Sequence, residues 1–517
     1  MAKTGTVYLT GAGPGDPGLL TLRALEVLQK ADLVLYDGLA NPVLLRHTNG
    51  ICERTARTRI DSRAIVPQEE VNQRLVDEAK SGKCVVRLKG GDPYIFGRGS
   101  EEAAALEAAG IPYEVVPGIT AATAAAEYAG FSYTHRSHTS AVAFVTGHED
   151  PTKDESRLDY AALAAFPGTL VFYMGLGQLS QICQRLIENG QSSSTPAAIV
   201  CRASLPTQQI VQSTLKDLPQ AASAAGLKPP SLIVVGECVN LRQVDSWFER
   251  RWLHGLKIGV TCAEHQIDDP MHEIVIRSGQ PVPMPLLEVS PVSSTDGMLI
   301  QKQLNDLKRF QWLVFTSRNG VSEFFQHLNQ AGLDSRALGH MQIATVGPST
   351  AESLKNYGIT ADVVPQIYSA EALVDELANQ ISGQAVLWAR ASRGRDTVAE
   401  GLLNAGATEV VSLVVYQNDD AAALPDGTMQ QIKSGQLDWI CLSSPAAAKR
   451  LSGLLKAAGI DPNLAPFQIA TISSLTTEAA VQAELTVKIT ATEHTWTGML
   501  DAIGQHQQTA RQRESAT

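Results

Sequence analysis

The chain has no run of about eighteen consecutive apolar residues, so no segment is long enough to cross a bilayer as a helix. It has no surplus of positive charge either. Its 42 Lys and Arg against 53 Asp and Glu leave a net charge of -11, which argues against general nucleic-acid binding. Cysteines are few and unpatterned. The seven, Cys52, Cys84, Cys183, Cys201, Cys238, Cys262 and Cys441, are odd in number and never spaced C-x-x-C. Neither a zinc site nor a disulfide framework is expected, and reduced structural thiols in a cytoplasm are. The opening MAKTGTVYLT shows no signal-peptide pattern before the first predicted strand. What is there, at 517 residues with 44% hydrophobic and 18% charged, is a globular composition large enough for three or four domains.

The stretch Val85–Gly99, VVRLKGGDPYIFGRG, carries a strong local signal. Val85, Val86 and Leu88 predict a strand, with Arg87 and Lys89 between the apolar positions. Gly90 and Gly91 permit close backbone approach to a ligand, and Pro93 ends the strand. Ser100, Glu101 and Glu102 predict an N-cap and an acidic first helical turn. Such a loop suits a flat ligand with polar ends; it also serves as a plain strand–helix connection. Upstream, a strand over Thr6–Leu9, a turn over Gly11–Asp16, a helix over Leu19–Lys30 and a strand ending at Asp37 outline a dinucleotide-binding unit. Asp16 stands where that fingerprint needs its third glycine, and it would repel a pyrophosphate. An NAD-dependent oxidoreductase is therefore the alternative of a different class. Arg54, Arg57, Arg59 and Arg63 form a basic run, read either as a solvated loop or as a device for capturing substrate carboxylates.

Seven segments occur in one order: GAGPGD (11–16), LVLYD (33–37), VPQEE (66–70), VRLKGGDPYIFGRG (86–99), VPGIT (116–120), FVTGH (144–148) and LVFYMGLGQL (170–179). Together they resemble uroporphyrinogen-III C-methyltransferase, of the tetrapyrrole methylase superfamily, over about residues 5–245. The resemblance implies two αβα domains with S-adenosyl-L-methionine folded in the cleft between them. It implies methylation of uroporphyrinogen III at C2 and C7 to give precorrin-2. It places Pro14, Gly90, Gly91, Asp92, Ile95, Thr120, Ala121, Met174 and Ala203 on the S-adenosylmethionine site, with Asp92 on the cofactor's polar groups. Asp37 matches the family's proposed base; read alone it also suits a cap after a strand. Arg59 stands at the family's catalytic lysine position. An always-protonated arginine is a poor general acid, so it is read as a substrate-carboxylate anchor. Methyl transfer from a sulfonium needs in-line alignment above all, and a base helps to remove the proton that leaves the macrocycle.

The second half repeats itself. VFTS (314–317) and IATVG (343–347) return as ICLS (440–443) and IATIS (469–473) at an offset of 126, which pairs Ser317 with Ser443, Thr350 with Thr476 and Glu352 with Glu478. Two similar α/β lobes are implied. VFTSRNGV (314–321), VGPSTAESL (346–354), WARASRGRD (388–396) and VVYQ (414–417) resemble uroporphyrinogen-III synthase over about residues 256–505. That family closes hydroxymethylbilane to uroporphyrinogen III without metal or organic cofactor. In it, segments near 256–289 and 417–505 form one lobe and 291–415 the other. Thr316, Ser317, Asn319, Ser349, Thr350, Ser443 and Thr476 are candidates for holding substrate carboxylates, each with a turn or cap role as the plain alternative. Tyr416 matches a tyrosine held to assist loss of the hydroxyl. Arg390, Arg393 and Arg395 either bind carboxylates or solvate a loop.

The expected fold class is α/β: an N-terminal tetrapyrrole methylase of two αβα domains (1–250), then a two-lobed uroporphyrinogen-III synthase-like region (251–505) and a polar, disordered tail (506–517). The expected partners are tetrapyrroles, with no nucleic acid, no membrane and no metal, and a homodimer through the methyltransferase half. The expected end products are of the sirohaem or cobalamin type. A second half that only binds tetrapyrrole is the non-enzymatic alternative.

Overall fold

The first five strands, β1 (Val7–Gly11), β2 (Leu33–Tyr36), β3 (Ile51–Arg54), β4 (Val85–Lys89) and β5 (Tyr113–Val116), make one parallel sheet in the order β3-β2-β4-β1-β5. The computed structural model describes residues 4–55, 67–147, 158–242, 244–394, 396–425 and 427–515. Arg57, Arg59, Arg63, His148 and Arg395 lie outside the described residues. The helix Leu22–Lys30 covers one face of the sheet through Ala24, Val27 and Leu28. The helices Gln68–Lys80 and Gly99–Ala108 cover the other through Val71, Leu75 and Leu106. The chain leaves β1 toward β2 and leaves β4 toward β5, so neighbouring strands send their loops to opposite sides. That reversal opens a crevice at their carboxyl ends.

Covered on both faces, β4 is buried along its whole length, charges included. Arg87 and Lys89 reach the carboxylate of Glu102, at 3.1 and 2.8 Å, and Gln68 joins them at 3.2 Å. Burial alone would raise the Glu102 pKa, but Arg87 and Lys89 outweigh it and hold the carboxyl below its ordinary value. The cluster ties the strand before the glycine loop to the helix after it. That helix starts at Gly99, not at a Ser100 cap. The Gly99 N–H donates to the Pro93 carbonyl at 2.9 Å, and Arg98 takes the left-handed φ of 59° that this closure requires.

The second sheet, of β6 (Val142–Thr146), β7 (Thr169–Tyr173), β8 (Pro196–Cys201), β9 (Gln209–Thr214) and β10 (Ser231–Val235), has the order β6-β7-β10-β8-β9. β6 and β7 are parallel and the other pairs antiparallel. Phe248 then packs on Tyr128 of the first half, while Leu253 lies in the next core.

Two further sheets follow. β11 (Lys257–Val260) and β12 (Gln280–Pro283) join β18 (Trp439–Leu442), β19 (Gln468–Thr471) and β20 (Val487–Thr490) in the order β12-β11-β18-β19-β20. Between them in sequence, β13 (Leu287–Ser290), β14 (Trp312–Phe315), β15 (Gln342–Thr345), β16 (Ala385–Ala391) and β17 (Glu409–Asp420) form β13-β17-β16-β14-β15. The first lobe is discontinuous, as expected. Its borders shift, because β13 pairs antiparallel with β17 and so belongs to the second lobe.

Two expectations are corrected. Trp312 and Trp439 open equivalent strands, and Ser317 and Ser444 cap equivalent helices by accepting from Gly320 and Ala447 N–H. Ser317 therefore matches Ser444, not Ser443; the offset of 126 holds at β15 and β19 but slips by one at the preceding strand. The tail from 506 is helical, continuing Trp496–Ser515. Met499, Leu500 and Ile503 anchor its first turns in the core, and the His506 ring lies 5.8 Å from Trp439. Once a helix is nucleated by packing, extension through polar residues costs little.

Glu102→Gln leaves two buried cations short of a carboxylate. The expected loss is about 3–5 kcal/mol of stability, read by denaturant unfolding of the first half's signal. The native cluster's own contribution is present above the ordinary glutamate value of 4.5 and is lost as pH falls below it, so the variant should lack this acid-side slope.

Candidate functional site

Three loops meet at the crevice: Gly11–Asp16 after β1, Gly90–Gly97 after β4 and Pro117–Thr120 after β5. They are in backbone contact. A Cβ on Gly118 would stand 2.3 Å from the Gly91 carbonyl oxygen and 2.7 Å from Gly11 Cα. Gly13 and Gly91 exchange backbone hydrogen bonds at 3.2 and 2.7 Å. The glycines serve loop-on-loop packing. Asp16 closes the turn that a pyrophosphate would need: its carboxylate accepts from Gly18 N–H and Tyr128 O–H, and its own N–H donates to Ser204 Oγ.

Two aspartates hold these loops. Asp37 accepts from Leu39 N–H (2.9 Å) and Ala40 N–H (3.0 Å) through Oδ1, and from Gly90 N–H (2.9 Å) through Oδ2. Asp92 accepts from Tyr94 (2.8 Å) and Ile95 (3.2 Å) through Oδ1, and from Gly118 (3.1 Å) through Oδ2. Asp92 was expected on the cofactor's polar groups. Its carboxylate also fastens one loop to the next.

The second sheet supplies the opposite wall. Tyr173 O–H lies 2.6 Å from Thr120 Oγ1 and accepts from Ala122 N–H at 3.0 Å. Its ring lies 4.8 Å from Phe96, and Ala203 is buried in the same cluster. Ile95, Phe96 and Met174 remain 39, 41 and 53% exposed, an apolar shelf beside the glycine backbone. Phe96, Met174, Arg202 and Ser204 all carry positive φ, so backbone strain gathers around this shelf. The structure thus brings together Pro14, Gly90, Gly91, Asp92, Ile95, Thr120, Ala121, Met174 and Ala203. Sequence reasoning missed Tyr173 and Phe96, although both stand inside the quoted motifs.

In the second half, Tyr416 sits where the β16–β17 register slips between Arg390 and Ala391, a bulge that re-aims its side chain. Its hydroxyl lies 3.1 Å from Ser317 Oγ. Burial pushes the phenol up, opposed by hydrogen bonds from Ser317 and Asn319. It is therefore a protonated donor at neutral pH. Asn319 Oδ1 accepts from Gln266 of the other lobe at 2.6 Å, and Thr316 accepts from the Trp388 indole at 3.3 Å. Ser349 is exposed at a helix start. Ser443 directly precedes the capping Ser444. Thr350 and Thr476 are 5 and 1% exposed, and Thr476 Oγ1 lies 3.2 Å from Ser473 Oγ, so both are placed as helix first-turn residues. Arg390 is held by Asp396 and the Gly394 carbonyl, and Arg393 pairs with Asp420, so each guanidinium already has a partner.

Residues 6–219 match the family model of tetrapyrrole (corrin/porphyrin) methylases, and residues 272–501 match that of uroporphyrinogen-III synthase HemD. The porphyrin biosynthesis protein HemD of Ruminiclostridium josui is 32% identical over 500 residues, 96% of this chain and 97% of that protein. The chain belongs to the tetrapyrrole methylases, joined to a uroporphyrinogen-III synthase. Uroporphyrinogen-III C-methyltransferase of Bacillus subtilis (strain 168) is 41% identical over 339 residues, 65% of this chain and 69% of that one. A uroporphyrin-III C-methyl transferase structure from Thermus thermophilus, complexed with S-adenyl homocysteine, is 38% identical with a TM-score of 0.40. It covers 46% of this chain and 100% of that one.

In this methylase, Gly118→Ala forces backbone against backbone at three loops. It should weaken S-adenosylmethionine binding about ten- to a hundredfold in equilibrium titration, with ring closure unchanged. Gly453→Ala, on the exposed side of the helix Pro445–Ala457 and with no positive φ, where a Cβ meets nothing within 4 Å, is the control for a glycine outside the site.

Proposed function

We propose that the second half closes hydroxymethylbilane to uroporphyrinogen III and that the first half methylates this product at C2 and C7, giving precorrin-2 for sirohaem- or cobalamin-type products. The observation that carries the reading is the presence of both family matches on one chain, in a likeness that runs the length of a porphyrin biosynthesis protein. S-adenosyl-L-methionine supplies the methyl group. Its flat nucleoside suits the shelf of Ile95, Phe96 and Met174, beside the loops that carry Gly90, Gly91, Thr120 and Ala121. The chain's part is alignment: the glycine loops fix the depth of the site, and the bond from Tyr173 to Thr120 ties its two walls.

Asp37 is proposed as the acceptor of the proton that leaves the macrocycle, and Arg59 as an anchor for a substrate carboxylate. Tyr416 is proposed to donate to the departing hydroxyl of the bilane, with Ser317 and Asn319 orienting its phenol. Helix starts near Ser317, Ser349 and Ser443 offer backbone N–H groups to the substrate's carboxylates. A homodimer through the methyltransferase half and a cytoplasmic location complete the proposal.

One reaction tests both halves. Purified protein is given fresh hydroxymethylbilane and methyl-labelled S-adenosylmethionine, and the tetrapyrroles are identified after oxidation. Doubly labelled precorrin-2 is expected; methylated type I isomer alone would show that the second half does not close the ring. Asp37→Ala should lower methylation about 100-fold or more while ring closure stays at the wild-type rate. Tyr416→Phe should slow only ring closure, and an unchanged closure rate removes the phenol from the mechanism.

A further inference from the structure

One segment of the methylase reaches directly into the synthase half. The short helix Pro42–His47 follows directly on the turn that holds Asp37. Its Val43 packs against the core of the first synthase lobe, the cluster that contains Ile258, Ile267 and Met271. Its Arg46 reaches Glu264 Oε1 at 2.5 Å and the Glu264 carbonyl at 3.1 Å, and also pairs with Asp268. The Arg46 side chain is 21% exposed, against 63 and 64% for its two acidic partners, so the guanidinium is the covered centre of this contact.

At the other end of the segment, Leu39 and Ala40 hold one oxygen of Asp37 while Gly90 of the cofactor loop holds the other. An unbroken series of contacts therefore runs from the synthase lobe through Arg46 and Asp37 to Gly90. A cavity of about 520 Å³ lies beside it, between Gly38–Pro42 on one side and Gln280–Pro283 on the other. Its charged lining groups are Arg46, already matched by two carboxylates, and Asp16. Such a lining does not attract a polycarboxylate tetrapyrrole, so passage of the substrate through it is disfavoured. What this interface transmits is position.

We propose that the first synthase lobe positions the methylase's loop 38–47, with Arg46 as the positioning residue, so that S-adenosylmethionine is bound more tightly while that lobe is docked. The proposal rests on the methyltransferase reading above. In the full-length chain, Arg46→Ala should weaken S-adenosylmethionine binding by equilibrium titration about tenfold, within the range of coupling between linked sites. The KM for S-adenosylmethionine in methylation should rise in step, with kcat and ring closure near wild type. Arg46→Glu should be worse, and Arg46→Glu with both Glu264→Arg and Asp268→Arg should restore part of the loss. An Arg46→Ala chain that binds S-adenosylmethionine as tightly as wild type overturns the proposal, and so does a loss that the threefold exchange does not reduce. Wild-type protein that binds no S-adenosylmethionine would end the methyltransferase reading itself, a separate failure.

Discussion

The first half depends on two carboxylates that capture backbone N–H groups. Asp37 holds Leu39, Ala40 and Gly90; Asp92 holds Tyr94, Ile95 and Gly118. The loops they join are rich in glycine because three backbones cross within van der Waals contact there, and a Cβ would keep them apart. Glycines bring no side-chain packing of their own, and charge-assisted bonds from Asp37 and Asp92 restrain their backbone. Behind them, the buried Arg87–Lys89–Glu102 cluster fixes the strand and the helix that flank the loop.

The second half uses weaker devices, repeated. Serine hydroxyls cap helices at Ser317, Ser444 and Ser473, each accepting from an N–H in the first turn. These helix starts lie at strand ends, where helix dipoles point their positive ends. One register slip turns Tyr416 toward this surface. The two halves are therefore held differently: one by locking loops, the other by capping helices at strand ends.

Much of this was legible in the sequence. Strands around 7, 33, 85 and 113 follow from apolar runs ended by glycine or proline. Other features were not legible. The bonds that Asp92 makes to the Tyr94, Ile95 and Gly118 N–H groups could not be read from its motif. Ser443 reads as the partner of Ser317 until the caps show that Ser444 is, because a repeat aligned on side-chain likeness does not register a one-residue change in loop length. The tail reads as disordered from its polarity, yet it extends a helix whose first turns are buried.

By itself, the sequence determined the α/β class, the two-part organisation and the loops that carry chemistry, because these follow from local periodicity and from motifs contiguous in the chain. The tertiary structure alone decided which partner each polar group takes. Arg87 and Lys89 are buried rather than solvated, Asp37 spans two strand ends, and Arg46 joins the halves, because each of these contacts spans more than ten residues of sequence. Contacts of that reach are set by how sheets and helices stack, which no local pattern encodes.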